Sequence, residues 1–197
     1  MAITKFSQLD LTKRYSYADY LTWQFKERVE LFKGWVIKMS PSPSYEHQSS
    51  SSFIFNLIFN KVNKRPCQVF SAPFDVRLID NNKSTADKEI FTVVQPDILA
   101  VCDRSKLDSK GVIGAPDLVV EILSPGNNKK EMVSKYELYE TNGVLEYCVA
   151  DPVYKTIQLF HLNNNKYELI KCFYNDEKFE SKLFKGLKFK VSDAFNN

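Results

Sequence analysis

The sequence predicts an α/β domain whose elements follow one another as hairpin, α, β, β, β, α, β, hairpin. Strand-like runs of β-branched and aliphatic residues alternate with two stretches of helical periodicity. One run, residues 119–123, is apolar on both faces, as in the centre of a helix-covered sheet. The 197 residues, 44% of them hydrophobic, can bury one sizeable core and are short for two domains. We therefore expect a single domain over residues 1–197.

The first half of the chain predicts a hairpin and then a helix. After a short helix near residues 16–23, residues 28–40 form two β-rich runs joined by Lys33-Gly34, which is typical of a hairpin. Residues 42–66 begin with Ser and Pro in cap positions, carry apolar residues at helical spacing, and stop at Pro66. This second segment is predicted to be the first long helix.

The second half predicts three strands, a helix, a strand and a hairpin. The three strands lie at residues 67–79, with one Pro interruption, 92–103 and 117–123. A polar loop is expected at 80–90, and residues 103–115 supply a connecting loop between the second and third strands. The following helix has Asn128 and Glu131 at the spacing of a capping box, and Gly143 in the position of a left-handed C-terminal residue. A fourth strand at 144–151 and a hairpin at 155–171, turning at Asn163 to Asn165, complete the order.

Composition excludes several classes of protein. No apolar run reaches the length of about 18 residues that a membrane helix needs, and the N-terminus lacks the basic start and apolar block of a signal peptide. We expect a cytoplasmic protein with no membrane partner. The four cysteines are scattered singly, without a CxxC pair, so we expect them to be reduced rather than paired or bound to zinc. The net charge of +3 permits binding to a polyanion without arguing for it.

Two acids stand out because they interrupt strands that are otherwise apolar. Glu121 lies in the middle of the third predicted strand, and Asp97 lies in the second. If these strands are neighbours, the two carboxylates can lie side by side on one face, where they repel one another unless one is protonated or a divalent cation holds both. Mg²⁺ suits the second case, because it takes one or two protein carboxylates and keeps its waters. An inert core in which lysines neutralise both acids would produce the same pattern.

A lysine interrupts the inward stripe of the second long helix. Met132, Lys135, Tyr136 and Tyr139 recur at i, i+3, i+4 and i+7, so Lys135 should face the sheet. A buried ammonium beside the two acids could orient a water molecule or stabilise the negative charge that develops on a phosphoryl group.

Several joined segments resemble the Uma family of restriction-endonuclease-like proteins, within the PD-(D/E)xK nuclease superfamily. The resemblance covers nearly the whole chain and is carried, in order, by YSYADYLTW, RVELFKGWVIKMSPSPSYEHQ, APFDVRL, VVQPDILAVCD, GAPDLVVEILSPG, KYELYETNGVLEYCVADP and LFKGLKF. It implies a restriction-endonuclease-like αβββαβ core, an endonuclease that hydrolyses DNA with Mg²⁺, for which Mn²⁺ would substitute, and a homodimer. It also implies Asp97 and Glu121 as metal-binding acids, with the backbone carbonyl of Ile122 as a further ligand.

The resemblance has one departure at the expected site. The superfamily places lysine two residues after the second acid, where this sequence has Leu123. The family resemblance suggests that the lysine has moved to the following helix, where the periodicity independently placed Lys135. Glu30 and His47 also match family motifs and are expected as accessory residues at the mouth of the site, although His47 fits a packing role equally well. A non-catalytic nucleic-acid or protein binding module on a nuclease-derived fold is the alternative function.

Overall fold

Two six-stranded sheets carry the fold of the computed structural model, which describes residues 2–39, 43–64, 66–79, 84–124 and 129–195, with the backbone alone at 129–131. We call the first the central sheet. In spatial order its strands are β12 (Lys166–Tyr174), β11 (Thr156–Asn163), β10 (Glu146–Asp151), β9 (Leu118–Ile122), β6 (Ile98–Val101) and β3 (Gln68–Ser71). The strands of the second sheet, also in spatial order, are β2 (Trp35–Lys38), β1 (Val29–Phe32), β5 (Thr92–Val94), β4 (Val76–Leu78), β8 (Gly111–Ile113) and β7 (Leu107–Asp108).

The central sheet and two helices form the expected αβββαβ core. Helix α2 (Tyr45–Val62) precedes β3, β6 and β9, which pair antiparallel in that order. Helix α3 (Lys129–Asn142) then crosses over to β10, which is parallel to β9 as such a crossover requires. The hairpin β11–β12 extends the sheet and turns at Asn164 and Asn165, both with positive φ. The predicted fold class is confirmed.

The second sheet was not predicted, and it corrects two strand predictions. Residues 67–79 and 92–103 were each expected to be one strand, but each contributes one strand to either sheet. Pro73 and Pro96 lie at the breaks, where a residue without an N–H cannot continue a ladder. Residues 103–115, expected to be a loop, contain the hairpin β7–β8. The N-terminal hairpin β1–β2 is present, with Lys33 and Gly34 at positive φ in its turn, and it belongs to the second sheet.

Apolar side chains cover both faces of the central sheet. Ile54, Ile58 and Val62 of α2 pack on one face together with the C-terminal segment, which contains β13 (Lys178–Glu180), β14 (Lys188–Lys190) and α4 (Val191–Ala194). Side chains of α3 and of the second sheet pack on the other face. Adjacent residues of β9 therefore enter different cores, which explains why this strand is apolar on both faces. A short helix, α1 (Tyr17–Tyr20), packs in a third cluster with Leu31 and Val93.

The helix ends follow ordinary capping chemistry. The hydroxyl of Ser44 accepts the N–H of His47 at the start of α2. Gly143 has a φ of 83° directly after α3, as its position predicted. The capping box proposed for Asn128 and Glu131 lies outside the described residues. Within the described part of the chain, no helix combines the length and the apolar character needed to cross a membrane.

The cysteines contradict the expectation that all four are reduced. Cys67 and Cys102 form a disulfide. They lie next to the cross-strand pair Gln68 and Val101, at the ends of β3 and β6, so the register of these strands brings them together. Sequence spacing could not show this, because the two cysteines are 35 residues apart along the chain. Cys148 and Cys172 are free.

Candidate functional site

The strand register brings Asp97 and Glu121 together. Ile98 of β6 pairs with Val120 of β9, so Asp97 and Glu121 face each other one step further along the antiparallel pair. Oδ2 of Asp97 accepts the N–H of Ile122 at 2.8 Å, which continues the strand pairing with a side-chain oxygen. The two strands are neighbours, which is the condition under which the acids were expected to lie on one face. Asp97, however, stands just before its strand rather than inside it, where the chain passes from one sheet to the other.

Lys135 reaches this pair from α3. Its side chain is buried, with Nζ 2.9 Å from Oε1 of Glu121 and 3.6 Å from Oε1 of Glu30. The inward stripe therefore places the ammonium beside the acids. Burial opposes the charge of Lys135, but the attraction of Glu121 and Glu30 outweighs it and raises the pKa of this ammonium above its usual value.

Glu121 has more negative charge around it than the lysine can balance. Burial is the main cause that raises the pKa of its carboxyl from 4.5 to about 7. The positive charge of Lys135 opposes this shift, whereas the negative charges of Asp97 and Glu30 add to it. Three acids thus share one buried ammonium and the imidazole of His47, which lies 3.3 Å from Asp97, and the site has a deficit of positive charge.

Tyr139 is a site residue that the sequence reasoning treated only as part of the apolar stripe. Its hydroxyl donates to Oε1 of Glu121 at 2.6 Å, and its ring is fully buried. Lys135 and Tyr139 are four residues apart on one face of α3, so both donors meet the same carboxylate oxygen. Burial and the charge of Glu121 raise the pKa of Tyr139 well above 10, which keeps the hydroxyl a donor. The i, i+4 spacing from Lys135 was the signal that could have found it.

Glu30 and His47 lie inside the site rather than at its mouth, since both side chains are buried. Oε1 of Glu30, from β1, accepts the N–H of Gln95 at 2.8 Å and thereby ties the second sheet to the segment that leads into Asp97. Nε2 of His47, in the first turn of α2, lies 3.3 Å from Oδ2 of Asp97. Burial opposes protonation of His47, but the contact with Asp97 and the nearby negative charge outweigh it and raise its pKa above 6.5. Nδ1 of this ring is buried and has no hydrogen-bond partner among the described residues.

The donors present fit a small, hard cation. Asp97 and Glu121 each have one carboxylate oxygen, Oδ1 and Oε2, that accepts no hydrogen bond from a described residue. The described residues contain no group of three or more His, Cys, Asp or Glu side chains placed to hold a metal ion. Mg²⁺ does not require one, because one or two carboxylates and water complete its shell. The raised pKa of Glu121 points the same way, since a divalent cation would supply the missing positive charge.

Leu123, two residues after Glu121, packs against the core between the two sheets. The ammonium that contacts Glu121 comes from the helix, where Lys135 donates to the carboxylate. The site therefore has two acids from adjacent strands, a third acid from the second sheet, and a buried cation and a hydroxyl from α3. Such a group can bind a cation, and it can stabilise the negative charge that develops on a phosphate lying beside it.

Known proteins are similar to this chain in fold and in sequence. The chain matches a solved structure described as "a putative nuclease belonging to DUF820 from Anabaena variabilis", with a TM-score of 0.70 and 19% identity, over 92% of this chain and 98% of that one. It is 27% identical over 176 residues to "Uncharacterized protein slr1290" of Synechocystis sp., covering 88% of this chain and 87% of that protein. The model of the Uma2 family, described as "Putative restriction endonuclease", matches residues 17–192. Because that match spans most of the sequence, the chain belongs to the Uma2 family.

Proposed function

We propose that this protein is an endonuclease of the PD-(D/E)xK type that hydrolyses phosphodiester bonds in DNA with a bound Mg²⁺, which Mn²⁺ can replace. The observation that carries the proposal is the pairing of Asp97 with Glu121 across adjacent strands, with a buried ammonium 2.9 Å from Glu121. Membership of the Uma2 family supports a nuclease-like activity. The metal, the substrate and the roles of the residues are our own assignment.

Each site residue has a role that follows from its surroundings. Asp97, Glu121 and the carbonyl of Ile122 would hold the ion. When bound, the ion supplies Lewis-acid chemistry, polarising a phosphoryl oxygen and making a water molecule more acidic. Lys135, fixed by Glu121 and Glu30, holds a positive charge where negative charge develops on the phosphate. Nε2 of His47 holds its proton against Oδ2 of Asp97.

Metal binding and strand cleavage test the proposal together. Calorimetry of the parent with Mg²⁺ or Mn²⁺ should show binding that disappears in Asp97→Asn, and the parent should nick a supercoiled plasmid only when one of these ions is present. A protein that nicks the plasmid equally well in EDTA, or an Asp97→Asn variant that binds metal as the parent does, would contradict the assigned site.

Lys135→Met tests the ammonium. The variant should still bind metal but lose nicking activity by roughly 10² or more, because a charge acting on the transition state is removed. Lys166→Met is a matched control, since the side chain of Lys166 is exposed and its ammonium pairs with Glu140, outside the site. Adding Leu123→Lys to Lys135→Met returns an ammonium two residues after Glu121 and should recover part of the activity. An undiminished rate in Lys135→Met would rule out this role.

A non-catalytic binding module remains the second candidate, and the replacement of the usual lysine by Leu123 favours it. Metal binding and DNA binding without nicking, under all conditions tested, would support this candidate. The single domain, the homodimer and the cytoplasmic location stay predictions. Sedimentation of the purified protein would test the homodimer.

A further inference from the structure

One face of the hairpin β1–β2 continues from the site to the protein surface. Glu30 pairs with Ile37 and Phe32 pairs with Trp35, so Ile37 and Trp35 share the face of the buried Glu30. Because β2 is the edge strand of its sheet, the side chains of Trp35 and Ile37 remain 46% and 39% exposed. An exposed tryptophan therefore lies on the same sheet face as an acid of the site, diagonally across the strand pair from it.

An exposed arginine lies on the other side of Glu30. The guanidinium of Arg28 donates to Oε1 of Gln95 from Nη2 at 2.7 Å and from Nε at 3.2 Å. The N–H of Gln95 in turn donates to Glu30, so Arg28 and Glu30 face the same segment, two residues before Asp97. Within the described ranges Arg28 forms no ion pair, and its partner Gln95 is neutral. Its charge is held in place without being neutralised.

These two side chains suit different parts of one ligand. A guanidinium binds phosphate oxygens through paired N–H donors, and an indole stacks on the flat face of a nucleobase. Arg28 and the Phe32–Trp35 pair are four residues apart along β1, about 13 Å at 3.3 Å per residue. A short stretch of one nucleic-acid strand spans such a distance. A base can stack on Trp35 only where it is unpaired.

The charges of the hairpin favour a polyanion over a second copy of the chain. Lys33 and Lys38 are exposed on the hairpin, and lysines on an edge strand oppose pairing with an identical edge. The same positive charges attract a phosphate backbone. Glu30, the acid of the hairpin, is a poor competitor, since it is buried toward Lys135.

We propose that the face formed by Arg28, Ile37 and Trp35 binds an unpaired strand of nucleic acid, with Arg28 on a phosphate and Trp35 stacked on a base next to the site. This inference rests on the proposed nuclease function and specifies the form of its substrate as single-stranded or locally opened. It directs the strand toward Asp97 and Glu121 along the surface of the hairpin.

Binding without turnover tests the face. The probe is a fluorescein-labelled oligothymidylate of about ten nucleotides, a length within the usual range for single-strand sites, titrated in EDTA. Trp35→Ala should weaken binding about 5- to 150-fold, the loss expected for one stacked base, whereas Trp35→Phe should keep most of the affinity. A duplex of the same length should bind more weakly and respond less to Trp35→Ala. Unchanged affinity in Trp35→Ala would overturn the inference.

Salt dependence tests Arg28 separately. Arg28→Gln should reduce the slope of log K against log salt by about 0.7, the value for one phosphate contact with a single strand. Arg104→Gln makes the same change in net charge. Because Arg104 lies beyond the end of β6 that is opposite Asp97, this variant should leave affinity and slope unchanged. Equal effects of the two variants would show that only net charge matters and would reject the assigned contact.

Fluorescence separates base stacking from self-association. Trp23→Phe leaves Trp35 as the single tryptophan, and its emission should be quenched when oligothymidylate binds. If Trp35→Ala instead abolishes self-association in sedimentation while oligonucleotide affinity is unchanged, the face belongs to a second copy. Trp35-dependent binding without any nicking in Mg²⁺ would refute only the nuclease function. Nicking with binding that ignores Trp35 would refute only this inference.

Discussion

Replacing Glu121 with glutamine should stabilise the metal-free protein at neutral and higher pH. Glu121 is buried, and its carboxyl meets two other acids for one ammonium. Glutamine keeps the shape of the side chain and an oxygen that can accept from Lys135 and Tyr139, but it carries no charge. The substitution therefore removes the cost of ionising a carboxyl in this place.

The size of the effect follows from the pKa of Glu121, which burial raises from 4.5 to about 7. The folded protein holds this proton more tightly than the unfolded chain does, so the contribution of Glu121 to stability is complete below pH 4.5 and declines as the pH rises through about 7. At about 1.4 kcal/mol for each pH unit, this interval gives an upper bound of about 3 kcal/mol. Because the amide must also find a place for its NH₂ group, we expect a gain of about 1 to 3 kcal/mol near pH 8 and little difference at acidic pH.

Thermal unfolding in EDTA, followed by circular dichroism across this pH range, measures the difference. Each kcal/mol moves the Tm of a chain of this size by about 2–4 °C, so the variant should melt roughly 2–12 °C above the parent near pH 8. Glu140→Gln is a control of opposite sign, because the hydrogen bonds from Lys166 and from the N–H of Tyr167 lower the pKa of Glu140. A Tm that falls throughout in Glu121→Gln would refute the reasoning and make Glu121 a structural partner of Lys135.

Two further substitutions probe single contacts. Tyr139→Phe removes one of the two donors to Glu121 and should weaken Mn²⁺ binding about tenfold, as expected for a residue that orients a ligand. Tyr136→Phe, one turn earlier, is the control and should leave Mn²⁺ binding unchanged. Equal Mn²⁺ affinity in the two variants would show that Tyr139 does not orient Glu121. Glu146→Gln should lower the free energy of unfolding by roughly 2–3 kcal/mol, because this buried carboxylate accepts the N–H groups of Lys182 and Leu183 and the hydroxyl of Ser181. Limited proteolysis should then cut the C-terminal segment first, and an unchanged digestion pattern would contradict the anchoring role.

Local patterns in the sequence predicted the parts of the site that depend on one element. The run at residues 119–123 revealed a strand buried on both faces, and helical spacing showed that Lys135 points inward. Strand alternation also placed Asp97 and Glu121 on one face if their strands were neighbours, and β6 and β9 do pair. Each of these inferences needs only the period of a helix or a strand.

The remaining features depend on contacts between distant segments, which periodicity does not encode. Tyr139 looked like any other apolar residue of its stripe until Glu121 was found within 2.6 Å of its hydroxyl. The second sheet was missed because its strands are only two to four residues long, and Pro73 at one crossing looked like an interruption within one strand. The disulfide between Cys67 and Cys102 required the register of β3 and β6.

The contribution of Glu30 from the second sheet has a consequence for how the protein matures. Glu30 and Lys135 are far apart in sequence, and contacts of that range form late in folding because closing the intervening loop costs entropy before the contact stabilises anything. During synthesis the N-terminal hairpin leaves the ribosome long before α3, and the ammonium has no partner from the hairpin until both have folded. An incomplete chain that ends before α3 therefore lacks the assembled group of acids and lysine.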